Sequence, residues 1–159
     1  MDLRHARHLV SRFFGVLGSR SLSPIEQLSV AAALSEAEAG LFWDQHSIDQ
    51  RHGYVVAARV EGALGENREA VAAALLHDTG KRHSSAGAVG RSLATIADGL
   101  RLPLPADWRR YRNHGLLGAS DLEAVGASRL SIAFARGHNN PSDEIDPDVW
   151  QALQTADDA

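Results

Sequence analysis

A histidine and an aspartate lie side by side at positions 77 and 78, within the sequence ALLHDTGKRH. The pair follows an apolar run and precedes Gly80, a residue that often marks the end of a helix. Imidazole nitrogens and carboxylate oxygens are metal ligands, and the ammonium of Lys81 can bind phosphate. This combination indicates a metal or phosphate site at the place where a helix ends.

Further chemistry-bearing residues are spread along the chain, at His52, His114, His138 and Asp157. Neighbouring side chains on a helix point about 100° apart, so a metal bound by the pair at 77 and 78 needs ligands from other helices. In an antiparallel bundle, His52 near the start of one helix and Asp157 on the last helix could reach the same end. Taken singly, each is more often a surface or core residue than a ligand.

The composition limits the kinds of site and partner that are expected. The chain has 159 residues, 44% of them hydrophobic, which is typical of one soluble domain. It contains no cysteine, so any metal would be bound by nitrogen and oxygen. The formal net charge of -4 argues against a general nucleic-acid binder, which would need a basic surface.

Membrane insertion and secretion are not expected from the sequence. The longest apolar stretches, such as LSVAAAL, are far shorter than the roughly 18 residues that a membrane span needs. The first residues are basic, but the apolar patch FFGVLG is too short for a secretory signal and has no clear cleavage site. We therefore expect no membrane partner and a cytoplasmic location.

The fold is expected to be all-α, because alanine, leucine, arginine and glutamate dominate and β-branched runs are scarce. Ser23, Pro24 and Glu26 have the pattern of an N-cap, a first helical residue and a capping-box glutamate. Asp146 and Pro147 repeat the cap and first-turn pattern. Besides the helices that begin there, the expected helical segments are 3–17, 49–63, 67–79, 87–99, 106–113, 114–125 and 128–137.

The ordered set His52, His77 with Asp78, and Asp157 resembles the signature of the HD superfamily of metal-dependent phosphohydrolases. The segments that carry the resemblance are DQRHGYVVAARV, ALLHDTGK and ALQTADDA, and it covers about residues 49–158. It implies the helical bundle of that superfamily within a single domain of residues 1–159, with residues 1–45 as an N-terminal helical extension. Asp158 is the alternative to Asp157 as the final acid.

His114, in NHGLLGAS, and His138, in FARGHNNP, resemble two further histidines of the branches that hold two metals. These branches include the bacterial symmetrical diadenosine tetraphosphate hydrolases and the HD-GYP cyclic dinucleotide phosphodiesterases. The chain is also similar to small HD proteins of actinobacteria. The HD-GYP group has a longer signature at this place, whereas Asn139, Asn140 and Pro141 follow His138 here, so we discount cyclic di-GMP as the substrate.

The resemblance implies a metal site with the ligands His52, His77, Asp78, His114, His138 and Asp157. One or two ions of iron, manganese or magnesium would suit these nitrogen and oxygen ligands, with Asp78 bridging the ions if two are bound. A water activated by metal would then attack a phosphorus atom, so Asp78 and Lys81 are the expected catalytic residues.

Lys81 follows Asp78 by three residues and has more than one interpretation. If the helix continues, Lys81 shares a face with the pair and could donate to a phosphate oxygen of the substrate. If Gly80 bends the chain, Lys81 approaches from a turn. Alternatively, it only stabilises the C-terminus of the helix electrostatically.

A basic and aromatic cluster precedes His114, in which Arg109 and Arg112 alternate with Trp108 and Tyr111. Guanidinium groups bind phosphate and aromatic rings can pack on a base, so Arg109 and Arg112 are predicted to bind substrate. The alternative is a solvated helix face with an aromatic anchor.

The predicted function is hydrolysis of a nucleotide or another small phosphorylated compound, as a phosphomonoesterase, pyrophosphohydrolase or phosphodiesterase. The first alternative is a catalytically silent HD-fold module that binds a metal or nucleotide for regulation. A purely structural helical bundle is the second alternative. Residues 1–45 could cover the bundle, lid the site or form the surface of a homodimer.

Overall fold

The structure, a computed structural model, describes residues 21–84, 113–137 and 145–159. These residues form seven α-helices, one 3-10 helix and no strand, so the prediction of an all-α fold is confirmed. The α-helices are α1 (Pro24–Ala33), α2 (Glu36–Trp43), α3 (Ser47–Leu64), α4 (Arg68–Leu76), α5 (His114–Ala124), α6 (Arg129–Arg136) and α7 (Pro147–Asp158). The 3-10 helix, Thr79–His83, follows α4. No helix within the described ranges is long and apolar enough to cross a membrane.

Helix α4 lies at the centre of the bundle because its sequence is apolar on nearly every side. Six of its nine residues are buried, namely Ala70, Ala72, Ala73, Ala74, Leu75 and Leu76. Helices α3 and α6 pack along it, and α1, α2 and α7 also contact it. A helix that is apolar all round needs neighbours on every side, which explains its position in the middle.

Aromatic packing connects this core to the end of the bundle where His77 lies. Phe134 of α6 is fully buried, and its ring centroid lies 5.4 Å from that of Trp150 in α7. The two rings meet edge to face, which is a favourable arrangement of their quadrupoles. The same Phe134 ring lies 5.8 Å from the ring of His77, so this histidine rests on the hydrophobic core.

Two capping boxes define the first two helices. Ser23 and Glu26 form the predicted one, in which the Glu26 carboxylate accepts from the Ser23 backbone N–H at 2.7 Å. Ser35 and Glu38 form a second capping box, and the sequence analysis predicted no helix start there. Leu34 between the two helices has extended backbone dihedrals, so the chain turns before α2 begins. The second box was missed because the surrounding sequence has helical character throughout.

One sequence prediction about the central helix is wrong. Residues 67–79 were expected to be one helix that carries the His-Asp pair on its last turn, but α4 ends at Leu76. His77 is its C-cap, and Asp78, with φ -100° and ψ 8°, leads into the 3-10 helix. The apolar run favours an α-helix. After it, the buried pair and the close packing of Gly80 coincide with a change to 3-10 geometry. The pair therefore lies in the junction between two helices.

The other predicted helices within the described ranges agree with the structure to within about two residues, which is the usual uncertainty of helix ends. Asp146 is the N-cap of α7, as expected from the Asp-Pro pattern. The segments 3–17 and 87–99, and all but the last residue of 106–113, lie outside the described residues. The division into an N-terminal extension and an HD domain stays a prediction.

Candidate metal centre

Three segments that are distant in sequence bring His52, His77 and Asp157 together at one end of the bundle. His52 lies in the second turn of α3, His77 at the end of α4, and Asp157 in the last turn of α7. Asp157 Oδ1 lies 3.0 Å from His52 Nε2 and 3.3 Å from His77 Nε2. The prospective ligand atoms of these three residues all lie within 4.8 Å of one another. The antiparallel arrangement expected for the bundle does place them at the same end.

Asp78 extends this cluster towards His114. Its Oδ2 atom lies 3.4 Å from His77 Nε2 and 3.8 Å from His52 Nε2. Its other oxygen, Oδ1, lies 3.5 Å from Nε2 of His114, the first residue of α5. The two carboxylate oxygens therefore face different histidines.

The ring of His77 is held in one orientation, with a proton on Nδ1. Its Nδ1 lies 2.8 Å from the carbonyl oxygen of Ala74, and because a carbonyl can only accept, Nδ1 must carry the proton. This leaves Nε2 to face Asp78 and Asp157. A histidine whose second nitrogen donates to a backbone carbonyl is the usual arrangement for a metal ligand.

The cluster is buried on one side and open on the other. The side chains of His77 and Asp78 are 1% and 6% exposed, whereas those of His52 and His114 are 27% and 28% exposed. The more exposed histidines form the rim, so a small molecule could approach from their side. His77 and Asp78 lie on the buried side of the cluster.

Electrostatics keep both carboxylates ionised despite their burial. Burial by itself would raise the pKa of Asp78, but Lys81, His77 and His114 outweigh it and hold the pKa well below its usual value. Burial likewise opposes ionisation of Asp157, whose pKa is lowered by hydrogen bonds from His52 and His77. Two anionic carboxylates at one point need cations or protons nearby, which is the electrostatic condition for a cation site.

The pKa of His77 is shifted in the opposite direction, upwards. Burial would lower its pKa, but the charge of Asp78 and the hydrogen bond with Asp157 outweigh burial and raise the pKa to about 10. In the absence of a metal ion, the cluster is therefore compensated in part by a proton on His77. A metal ion would replace that proton, because a ligating imidazole must be neutral.

The donor set could hold a metal ion. Ligand atoms about 2.1 Å from one ion and roughly 90–110° apart are separated by about 3.0–3.4 Å. Asp157 lies 3.0 Å from His52 and 3.3 Å from His77, and Asp78 lies 3.4 Å from His77; these distances fall in this range, whereas His52 and Asp78 are 3.8 Å apart. Neutral nitrogen and anionic oxygen donors without sulfur suit cations such as those of manganese, iron or magnesium. His52, His77 and Asp157 together could hold one ion, and Asp78 lies beside them.

Lys81 reaches the cluster from the 3-10 helix and not from a continued α-helix. Its ammonium donates to Asp78 Oδ2. The structure shows Lys81 in a turn that contains Gly80, and its binding of a phosphate oxygen stays a prediction beside the alternative that it only stabilises the end of the helix. The side chain is 16% exposed and lies beside the carboxylate that is central to the cluster.

The choice between the two final acids depends on where their side chains lie. Asp157 contacts both His52 and His77, and its side chain is 12% exposed. Asp158, the next residue, is exposed and does not belong to the cluster. The structure therefore places Asp157 in the cluster and leaves Asp158 outside it.

The remaining predicted site residues have no described positions. His138, Arg109 and Arg112 lie outside the described residues, so their metal-binding and substrate-binding roles stay predictions.

A polar network beside the cluster was not predicted. Asp121 of α5 accepts from His83 Nε2 at 2.7 Å and pairs with Arg82 at 3.1 Å. Burial would raise the pKa of Asp121, but its hydrogen bonds with Arg82 and His83 lower it. Arg82 also reaches Asp44 at 3.2 Å. The network connects the 3-10 helix to α5. In the sequence, it was indicated only by the run Lys-Arg-His after Gly80.

Comparisons of the chain with protein-family models, with curated proteins and with solved structures find no match. Membership of the HD superfamily therefore stays a prediction, which depends on the ordered residues and on the cluster that they form.

The metal-free protein is expected to lose stability as the pH rises from about 6.5 towards about 10, because folding raises the pKa of His77 across this window. The stabilisation is complete below the unfolded pKa and is lost as the folded histidine gives up its proton. Urea unfolding in the presence of a chelator, at several pH values across the window, measures the effect. His77→Asn is the control, since asparagine does not titrate.

The informative quantity is the difference between the two pH profiles, because other groups titrate in both proteins. Wild type should decline more steeply than His77→Asn above about pH 6.5. Parallel profiles would contradict the raised pKa of His77. At acid pH the sign reverses, since the lowered pKa values of Asp78 and Asp157 contribute stability that is lost below about pH 4.

Proposed function

We propose that this chain is a metal-dependent phosphohydrolase of the HD superfamily that acts on a nucleotide or another small phosphorylated compound. The observation that supports the proposal most is the convergence of His52, His77, Asp78 and Asp157, from three distant segments, on one point of the bundle. Their order along the chain matches the signature that the sequence resembles. A structural helical bundle would have no reason to gather two carboxylates and two histidines at a partly open end.

In the proposed assignment, His52, His77, Asp78 and Asp157 hold one cation. Asp78 and His114 would belong to the residues that hold a second cation, since Oδ1 of Asp78 lies 3.5 Å from His114 Nε2. His138 would complete that second set. Bound cations would supply a water activated for attack on phosphorus and would stabilise the charge that develops on the phosphoryl oxygens.

The protein's own groups contribute binding and orientation. His77 is fixed by its bond to Ala74, so its Nε2 keeps one direction. Lys81 would donate to a phosphate oxygen of the substrate, because its ammonium lies at the cluster and can offer more than one hydrogen bond. Arg109 and Arg112 would bind the rest of a phosphorylated substrate.

One observation favours the alternative, a catalytically silent regulatory module. The ammonium of Lys81 already pairs with Asp78 Oδ2, so a cationic group of the protein itself compensates the central carboxylate. A module of this kind could bind a nucleotide or one metal without turning over a substrate. The two proposals differ in metal content and in phosphate release.

The test is elemental analysis of the purified protein combined with a phosphate-release screen over nucleotides and simple phosphate esters. The hydrolase proposal predicts about two metal ions per chain, or about two after reconstitution with Mn²⁺, and release from at least one substrate. A chelated sample of the same protein is the control, and it should release none. Absence of bound metal and of release after addition of Mn²⁺ and Fe²⁺ would contradict the proposal.

A further inference from the structure

Helix α3 touches α4 through Gly53, the residue that follows His52. A Cβ atom built at Gly53 would lie 2.8 Å from the carbonyl oxygen of Leu75, and 3.5 and 3.6 Å from its carbonyl carbon and Cα. All three atoms belong to the backbone of α4, two residues before His77. A backbone contact cannot be relieved by a change of rotamer, so any side chain at position 53 would have to move one helix.

A second contact of this kind lies beside another prospective ligand. A Cβ atom at Gly115, which follows His114, would lie 2.7 Å from the carbonyl oxygen of Arg136 and 3.0 Å from that of Ala135. These carbonyls belong to α6, so the contact sets how closely α5 approaches α6. Glycine thus occurs directly after two histidines of the cluster, at the points where their helices meet a neighbouring backbone.

Among the other glycines of the described helices, Gly118 of α5 also has a close contact, since a Cβ atom there would lie 2.9 Å from the backbone nitrogen of Gly80, but no predicted ligand precedes it. A Cβ atom at Gly62, in the same helix as Gly53, would meet no atom within 4 Å, and the same holds for Gly40 in α2. At Gly80 a Cβ atom would lie only 1.9 Å from the carbonyl oxygen of His114, a contact too close for a moderate shift to relieve. At Gly53 and Gly115 the contacts are close enough for alanine to move a helix, but not so close that the protein would be expected to unfold.

We propose that Gly53 and Gly115 are positioning residues of the metal site, an inference that rests on the proposed function. The missing side chain at each position lets the neighbouring histidine reach the distance at which it meets the carboxylates. Gly53 sets the position of His52 relative to His77 and Asp157, and Gly115 sets the position of His114 relative to Asp78.

The size of the effect follows from contact distances. A carbon and a carbonyl oxygen approach to about 3.3–3.6 Å, so alanine at position 53 would displace α3 from α4 by roughly 0.5–0.8 Å. Metal sites need their ligands within about 0.5 Å of the productive geometry. We expect Gly53→Ala and Gly115→Ala each to weaken Mn²⁺ binding by about 10- to 100-fold, the range found when groups that orient a ligand are changed.

The experiment compares Gly53→Ala, Gly115→Ala and the matched control Gly62→Ala with wild type. The first readout is Mn²⁺ affinity, measured by calorimetry, and the second is the thermal unfolding temperature of each chelated protein. The third is the set of imidazole ¹⁵N shifts of the metal-free proteins, with the signals assigned by His→Gln variants. Gly62→Ala adds the same methyl group to the same helix as Gly53→Ala without meeting an atom.

The proposal predicts a residue-specific pattern that general destabilisation would not produce. Gly53→Ala should change the ¹⁵N shifts of His52 and leave those of His114, whereas Gly115→Ala should do the reverse. Gly62→Ala should match wild type in its shifts and in its affinity. If one alanine variant fails to fold, the ¹⁵N shifts of the other variant test the proposal. The proposal would be overturned if neither variant folds, or if a variant changes the shifts of His52 and His114 equally.

The same measurements distinguish failure of the proposed metal site from failure of the proposed role of Gly53 and Gly115. Wild type that binds no Mn²⁺ contradicts the metal-site proposal, and the ¹⁵N shifts of the metal-free proteins still decide whether the glycines position the histidines. Wild type that binds Mn²⁺, together with glycine variants that bind it equally well, overturns the positioning role alone.

Discussion

Replacement of Asp78 by alanine is expected to lower the rate of phosphate release by about 10³-fold or more. One carboxylate oxygen lies 3.4 Å from His77 and the other 3.5 Å from His114, so the change removes an oxygen from both parts of the cluster. Changes to groups that merely orient a ligand already cost about 10- to 100-fold, and loss of a shared ligand should cost more. The measurement is the initial rate with excess Mn²⁺, on the substrate that wild type hydrolyses fastest.

Two further variants make this result interpretable. Asp78→Asn keeps the size of the side chain and an oxygen that can accept from Lys81 but removes the charge, which guards against a defect caused by a cavity. Asp148→Ala removes an exposed aspartate from the first turn of α7 and should change the rate by no more than about 2-fold. Wild-type rates for both Asp78 variants, with added metal, would show that this cluster does not perform the hydrolysis.

Replacement of Asp157 by asparagine is expected to weaken Mn²⁺ binding by about 100-fold or more, whereas Asp158→Asn should leave it within about 2-fold of wild type. Asp157 Oδ1 lies 3.0 Å from His52 and 3.3 Å from His77. Asp158 is exposed and outside the cluster. Calorimetric titration of the chelated proteins with Mn²⁺ measures the difference.

The two asparagine variants control for each other. Both remove one negative charge from the last turn of the same helix, so any long-range effect on cation affinity is nearly equal in the two. Thermal unfolding of each variant without metal shows whether the helix still packs. Equal weakening by both substitutions would mean that Asp157 acts through charge and not as a ligand.

The helix content and several helix starts were determined by the sequence alone. Ser23 with Glu26, and Asp146 alone, accept hydrogen bonds from N–H groups at the start of one helix, and Pro147 has no N–H group to satisfy, so no tertiary contact is needed to predict these starts. The apolar run before His77 likewise predicts a buried helix without knowledge of its neighbours. Such features depend on local bonds and on the period of the hydrophobic pattern.

The members of the cluster and their meeting at one end of the bundle were expected from the sequence, but the individual contacts between the side chains were not. The sequence named His52, His77, Asp78, His114 and Asp157, and the structure brings these five residues to one end of the bundle. Asp157 was predicted as the final acid with Asp158 as its alternative, and only the structure shows the direction of each side chain. That direction depends on how α7 is rotated against α3 and α4.

The place of the His-Asp pair, after α4 and before the 3-10 helix, was decided only by tertiary structure. Local propensity favours continuing the helix through Asp78, but Gly80 packs directly against the backbone of α5 at His114. The role of Gly53 is also visible only in the tertiary structure, because in the sequence it is an ordinary helical glycine, whereas in the fold it packs against the backbone of Leu75 in α4. Sequence patterns determine what each helix buries, whereas the distance between two backbones, and with it the geometry of the cluster, exists only when the helices are packed together.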